Sequence, residues 1–305
     1  KQSQVIMRES VSFWKDGFRR LRKNKVAMVS IVVIILVMIF SFIVPSFYPY
    51  TYDEQIKGAN NLAPFTYSAD EQARIDAGES VFPHVFGTDK MGRDYAIRVM
   101  MGSRISLLVG LIATAIILVI GSIYGSIAAF FGGWVDLIMM RIVDIIYSVP
   151  AMLYIVLIML IFGASVISIM LGISITCWID MARIVRQQVK SLKEQEFTMA
   201  AFVLGASPSR ILIKHLLINT MGQIIVTVTL MVPQAIFTEA WLSFLGVGIS
   251  APMASWGTLA QDARQVIMTY PMQTVYPMIA ICITIFSFNF VGEGLEKALD
   301  PKRKR

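Results

Sequence analysis

Residues Glu196–Asn219 read EFTMAAFVLGASPSRILIKHLLIN, and the rest of the chain is organised around this stretch. It stands between two long apolar runs, yet it is too polar to lie in lipid. Phe197, Ala200, Ala201 and Leu204 recur at roughly helical spacing, which predicts a short amphipathic helix starting near Glu196. Gly205 ends that helix, as a residue that tolerates positive φ does. After Ala206, Ser207 and Pro208 have the form of an N-cap followed by proline at the first helical position, so a second short helix is expected there. Two short helices about a glycine corner, on the basic side of a membrane, make a rigid knob suited to docking on a soluble partner. The plainer alternative is an ordinary amphipathic cytoplasmic loop.

The composition sets that stretch in a membrane protein. Of 305 residues, 56% are hydrophobic and only 15% charged, against about 25% charged in a soluble domain. The net charge of +7 is no nucleic-acid footprint, because the basic residues cluster beside apolar runs. Cys177 and Cys282 both fall inside such runs and imply neither a disulfide nor a metal site. His84 and His215 are far apart, so a paired histidine ligand set is absent. The chain opens on Lys1 rather than Met, which leaves room for residues before it. No cleavable signal is visible, since the first apolar run is too long for one.

The expected order is as follows. Residues 1–25 form a basic, amphipathic cytoplasmic arm, with Phe13, Trp14, Phe18 and Leu21 on its apolar face. The first span covers residues 26–45 and ends at Pro45 and the aromatic group Phe47, Tyr48 and Tyr50. Residues 46–103 are an exterior, acid-leaning loop followed by a short interfacial helix. There Asp89, Arg93, Asp94, Arg98 and Arg104 are expected to neutralise one another at the surface. Gly87 and Gly92 have the spacing of a phosphate-binding loop, but Arg93-Asp94 follows where Lys-Ser/Thr is needed.

Residues 104–297 hold five more spans. The second, from Ser106 to Phe131, carries Gly121 and Gly125 as a close-packing pair. The third, Leu137 to Phe162, contains Pro150, read as a static kink before a hinge or cavity wall. Arg141 and Asp144 can pair on its first turns. The fourth covers Gly163 to Ile179. The docking loop, residues 194–218, follows Arg183, Arg186, Lys190 and Lys193. The fifth, residues 220–245, contains Pro233 and Glu239. A Gly/Pro/Trp-rich outer loop or half-helix leads to the sixth, from Thr274 to Val291, and residues 298–305 are a basic cytoplasmic tail. The fold class is therefore all-α integral membrane, with six spans and both ends inside. Lys90, Arg93, Arg98 and Arg104 stand against that orientation, since it puts them outside.

Ala200, Ala201 and Gly205 match the EAA loop of ABC-importer permeases, although Met199 holds the glutamate position and Ile218 replaces the usual proline. From Phe86 the run FGTD..GRD...R...G.R.SL closely resembles the C-type permease subunit of oligopeptide, dipeptide and nickel ABC importers. GGW.D...MR..D, W..MAR.VR, TEA.LSFLG.G, SWG at Ser255–Gly257 and ALDP at Ala298–Pro301 follow in order. The resemblance runs from about His84 to Pro301.

The resemblance implies a type I ABC importer permease in the bacterial cytoplasmic membrane. It implies as partners a homologous second permease forming a heterodimer, two cytoplasmic ATP-binding cassette ATPases and an extracytoplasmic peptide-binding protein. It also implies that Glu196, Phe197, Ala200, Ala201, Leu204, Gly205, Ala206 and Ser207 dock on an ATPase. No catalytic, cofactor-binding or metal residue is expected on this chain, and ATP and Mg belong to the ATPases. The absence of a Lys-Ser/Thr phosphate loop points the same way.

Pro150, Pro233 and Glu239 are the candidates for a translocation path or gate. Glu239, the one carboxylate inside a span, either meets a peptide's amino terminus or pairs structurally with Arg264 or Arg104, the structural role being favoured. Import of nickel or another small solute by the same machinery is the alternative to peptide. An ion-coupled secondary transporter is the rival from another class, but it would need more intramembrane ionisable groups and inverted repeats.

Overall fold

A computed structural model of the chain describes residues 13–249 and 252–299, and within them all regular structure is helical. The expected cytoplasmic placement of residues 1–12 and 300–305 lies outside the described residues. Helix α1 (Phe13–Lys23) precedes α2 (Lys25–Phe42), which starts at Asn24, whose side chain accepts the N–H of Ala27. α2 is apolar on every face and buries only Ala27, Ser30 and Ser41. Val29, Val32 and Leu36 stay exposed, as on a helix that meets lipid.

A long loop follows, interrupted by α3 (Ala69–Asp76), and leads to α4 (Tyr95–Phe131). α4 begins at Asp94, whose carboxylate accepts the N–H of Ile97 at 3.0 Å. The expected interfacial helix before the second span is thus absent. His84–Asp94 is folded loop, and one 37-residue helix starts at Tyr95.

α5 (Gly133–Tyr147) and α6 (Ala151–Phe162) were expected as one kinked span, but they form two helices bent by 77°. Pro150 has no N–H to donate and biases Val149 away from helix, which accounts for a break here. α7 (Val166–Lys193) is longer than the fourth span read from the sequence. After α8 (Glu196–Val203), α9 runs from Pro208 to Phe244, with a π-helical stretch at Ile211–Leu217. α10 (Trp256–Arg264) is the expected outer half-helix, and α11 (Pro271–Leu299) closes the bundle. Five of these helices are long and apolar enough to cross a membrane, and there are six spans if the bent α5–α6 pair counts as one.

The bundle is centred on α4 against α7. Gly121 and Gly125 sit at their crossing, and a Cβ on Gly125 would lie 2.2 Å from the carbonyl oxygen of Ala182. The helices therefore approach backbone to backbone, as small residues permit in a membrane. At the end of the bundle that carries α8, Arg186 holds Asp136 through two hydrogen bonds of 2.5 Å, fastening α7 to α5. Asp144 meets Arg141 at 3.8 Å, as the spacing anticipates, but its closer partner is Arg183 at 3.0 Å.

Candidate docking site and the buried polar clusters

The segment around Gly205 protrudes from the bundle. α8 buries only Thr198 and Ala201. Thr198 Oγ1 donates to the Leu192 carbonyl at 2.8 Å, which hangs α8 from the last turn of α7. The N–H groups of Leu204, Gly205 and Ala206 donate to the carbonyls of Ala200, Phe202 and Ala201, closing the helix end. Gly205 has φ +76 and no neighbour within 4 Å of where a Cβ would stand. Glycine is there for its backbone freedom and not for lack of room.

The helix is not amphipathic in the expected sense. Ala201 turns inward, while Glu196, Phe197, Ala200, Leu204 and Ser207 are exposed and Ala206 is half-buried. Val203 and Leu204 are 88% and 85% exposed, and Met199 and Phe202 join them. These side chains form an uncovered apolar patch on a helix set between basic segments. Such a patch marks an interaction surface. Spacing could not single out Met199, Phe202 and Val203, because nearly every residue of the helix is apolar.

The second expected short helix is instead the first turn of α9. Ser207 has extended N-cap geometry, but its hydroxyl caps nothing and lies 3.5 Å from that of Ser209. Ile211 and Leu216, both wholly buried, seat the start of α9 in the main core. The glycine corner therefore leads into a membrane span through continuous helix, π-helical at Ile211–Leu217, with no loop between them.

Glu239 lies far along that helix, 0% exposed. Among the described residues it meets no arginine. Ser106 Oγ donates to one carboxylate oxygen and Ser243 Oγ to the other, each at 2.8 Å. Ser106 also accepts the N–H of Trp256, whose indole Nε1 donates to Ser103 Oγ at 2.8 Å. The carboxylate thus ties α4, α9 and α10 together. The expected arginine partners are engaged elsewhere. Arg104 donates to the carbonyls of Ser41 and Phe42 at the end of α2, and Arg264 lies over the Phe244 ring. Pro233 is buried in α9, whereas Pro150 is exposed at the α5–α6 break. The three gate candidates do not form one site.

The charged group near α4 is also internal. Asp89, Arg93, Asp94 and Arg98 are all buried, where surface neutralisation was expected. Asp89 binds Arg93 at 2.7 Å, while Asp94 binds a histidine instead of an arginine. His84 Nδ1 is 2.8 Å from Asp94, its Nε2 is 3.0 Å from Glu71, and its ring stacks on Tyr50. Burial pushes the His84 pKa down, but the hydrogen bond it donates to Asp94 and the charge of both carboxylates outweigh it, and the net shift is upward. Burial raises Glu71, yet hydrogen bonds from Ser68 and His84 leave it below the usual carboxylate range. Gln273 Nε2 donates to Asn61 and to the Thr88 carbonyl, pinning this loop to α11. Among the described residues, no cluster of His, Cys, Asp and Glu has metal-binding geometry.

Residues 118–305 match the family model described as "Binding-protein-dependent transport system inner membrane component". Residues 12–64 match the "N-terminal TM domain of oligopeptide transport permease C". The oligopeptide transport system permease protein OppC of Bacillus subtilis is 45% identical over 99% of this chain and 94% of its own length. The dipeptide transport system permease protein DppC of the same organism is 41% identical over 100% and 91%. A chain of the MetNI methionine ABC transporter in an inward-facing conformation superposes with a TM-score of 0.55, at 16% identity, over 65% of this chain and 94% of that one. At that identity it speaks for the fold alone.

Proposed function

The chain belongs to the family of binding-protein-dependent transport system inner membrane components, and from that membership we propose that it imports peptides across a bacterial cytoplasmic membrane. It is a multi-pass permease subunit of the ABC-importer class, with the fold that class uses. In this reading it forms the path together with a homologous second permease. An extracytoplasmic binding protein delivers the peptide, and two cytoplasmic ATPases bind ATP and Mg and carry out the hydrolysis. The chain itself is not catalytic.

One observation carries the coupling role. The exposed patch Met199–Leu204 is joined through Gly205 to α9, a single helix that reaches the Glu239 cage. Thirty-one residues separate Pro208 from Glu239, roughly 45 Å of helix. When two ATPases close on ATP, each moves the patch it grips, and α9 carries that displacement as a rigid body toward the outer face. Peptide as the cargo is supported by the printed names of the relatives, oligopeptide and dipeptide permeases.

The test is uptake of labelled peptide into vesicles holding the two permeases and two ATPases, with binding protein supplied outside. Uptake that requires ATP hydrolysis and the binding protein is expected. Uptake that persists without nucleotide, or that follows an imposed ion gradient, would refute this reading.

A further inference from the structure

α9, α10 and α11 enclose a groove of about 340 Å³, within the size range of ligand pockets. It lies at the end of the bundle opposite α8. Phe237, Trp241 and Phe244 form one wall, Met278 stands across from them, and the lining is almost wholly apolar. Arg264 stands at this wall with its guanidinium carbon 6.0 Å from the Phe244 ring centroid, and it has no acidic partner among the described residues. Thr274, which also lines the groove, is 8% exposed and its hydroxyl has no hydrogen-bond partner. The groove is thus an apolar slot with an aromatic wall and the Arg264 cation at its rim, while the Thr274 hydroxyl is buried within its wall.

The same face of α9 carries Gln234, one turn from Phe237 and exposed. An uncovered amide in mid-span is costly against acyl chains and at home beside water or a polar cargo. Methionine and aromatic side chains adapt to apolar groups of varied shape, whereas one fixed cation reads a feature that every free peptide shares. We propose that this groove is a peptide subsite of the translocation path, with Arg264 binding the C-terminal carboxylate and the Phe237–Trp241–Phe244 wall taking an apolar side chain. This rests on the reading of the chain as a peptide importer. It also shifts the path contacts from Glu239, which faces protein, to its neighbours on the opposite side of α9.

The experiment uses the complete reconstituted transporter and two peptides that differ only in a free or an amidated C-terminus. Both reach the permease through the same binding protein, so that protein's own preference cancels when variant is compared with wild type. Arg264→Gln should slow uptake of the free acid about tenfold, the scale of one lost charged hydrogen bond, and leave the amide near its wild-type rate. Arg264→Lys should restore most of the difference. Trp241→Ala should slow peptides with bulky apolar side chains more than glycine-rich ones. Equal loss for both termini, or no loss, overturns the subsite. A loss that follows the anionic lipid content of the vesicles, and not the peptide terminus, makes the groove a lipid site and also overturns it. Wild-type vesicles that take up no peptide would sink the transport reading itself, and this inference with it.

Discussion

Thr198 Oγ1 donates to the carbonyl of Leu192 at 2.8 Å from a side chain that is itself wholly buried. The exposed patch proposed to meet the ATPase therefore hangs from α7 at one end and leads into α9 at the other. Thr198→Val keeps the shape and removes the bond, leaving the Leu192 carbonyl short of a partner at a cost of about 1 kcal/mol. Membrane insertion should be normal and peptide-stimulated ATP hydrolysis reduced several-fold. Unchanged coupling in a reconstituted assay would show that α8 needs no such anchor.

At Gly205 the open space around the missing Cβ separates strain from crowding. A β-branched residue must adopt the left-handed region at about 1–2 kcal/mol, whereas asparagine visits it readily. Gly205→Val should impair ATP-coupled uptake without loss of protein from the membrane, and Gly205→Asn should stay close to wild type. Normal uptake by the valine variant would count strongly against the coupling role.

For Glu239, the two serine hydroxyls predict an order of severity. Glu239→Gln keeps an acceptor for one hydroxyl and should lower detergent-solubilised thermal stability modestly. Glu239→Ala strands two buried donors, at about 1–3 kcal/mol each, and leaves a cavity. A melting temperature lower for glutamine than for alanine would contradict the cage.

Where α4 crosses α7, Gly125→Leu must push the helices apart, because even a Cβ would meet the Ala182 carbonyl at 2.2 Å. Loss of folded protein is expected, read as aggregation on size-exclusion chromatography. A monodisperse leucine variant would show that the two helices separate more easily than this contact allows.

The loop between α2 and α4 has a pH window set by its histidine. The His84 pKa is raised above its ordinary 6.5, so its contribution is complete below that value and disappears as pH climbs through the folded value. Glu71 is lowered from 4.5, so its contribution is complete above that value and disappears as pH falls through the folded one. Both are present between about pH 4.5 and 6.5. Amide protection of residues 68–94 should be greatest in that window and decline toward alkaline pH. His84→Gln should flatten the alkaline decline, and a wild-type profile without one would remove the histidine from the account.

Much of the fold was legible because it follows from hydropathy. Apolar runs as long as Val26–Val44 leave little choice in a membrane. Gly205 was equally plain, since few residues serve at a helix corner. What escaped were the relations that cross the chain. The spacing around Arg93 and Asp94 suggested ion pairs, but nothing in it shows that His84, ten residues upstream, reaches Asp94 first. Glu239 stood out as a charge in a span and was matched with arginines by sign. The structure satisfies it with two hydroxyls, from Ser106 and Ser243, and serines scattered through apolar sequence give no signal. The Pro150 break exceeded the expected kink because a proline's local effect is readable and the angle its neighbours then settle on is not.

α9 passes from Pro208 to Phe244 without a loop, so its two ends are joined by continuous helix. On the proposed coupling role, residues 196–244 are one heritable piece, clutch and lever together. A chimera that exchanges only the knob would ask a foreign handle to turn a native shaft. One that carries the whole segment would bring its own timing with it, so recombination between such subunits should break before Glu196 or after Phe244 and seldom between.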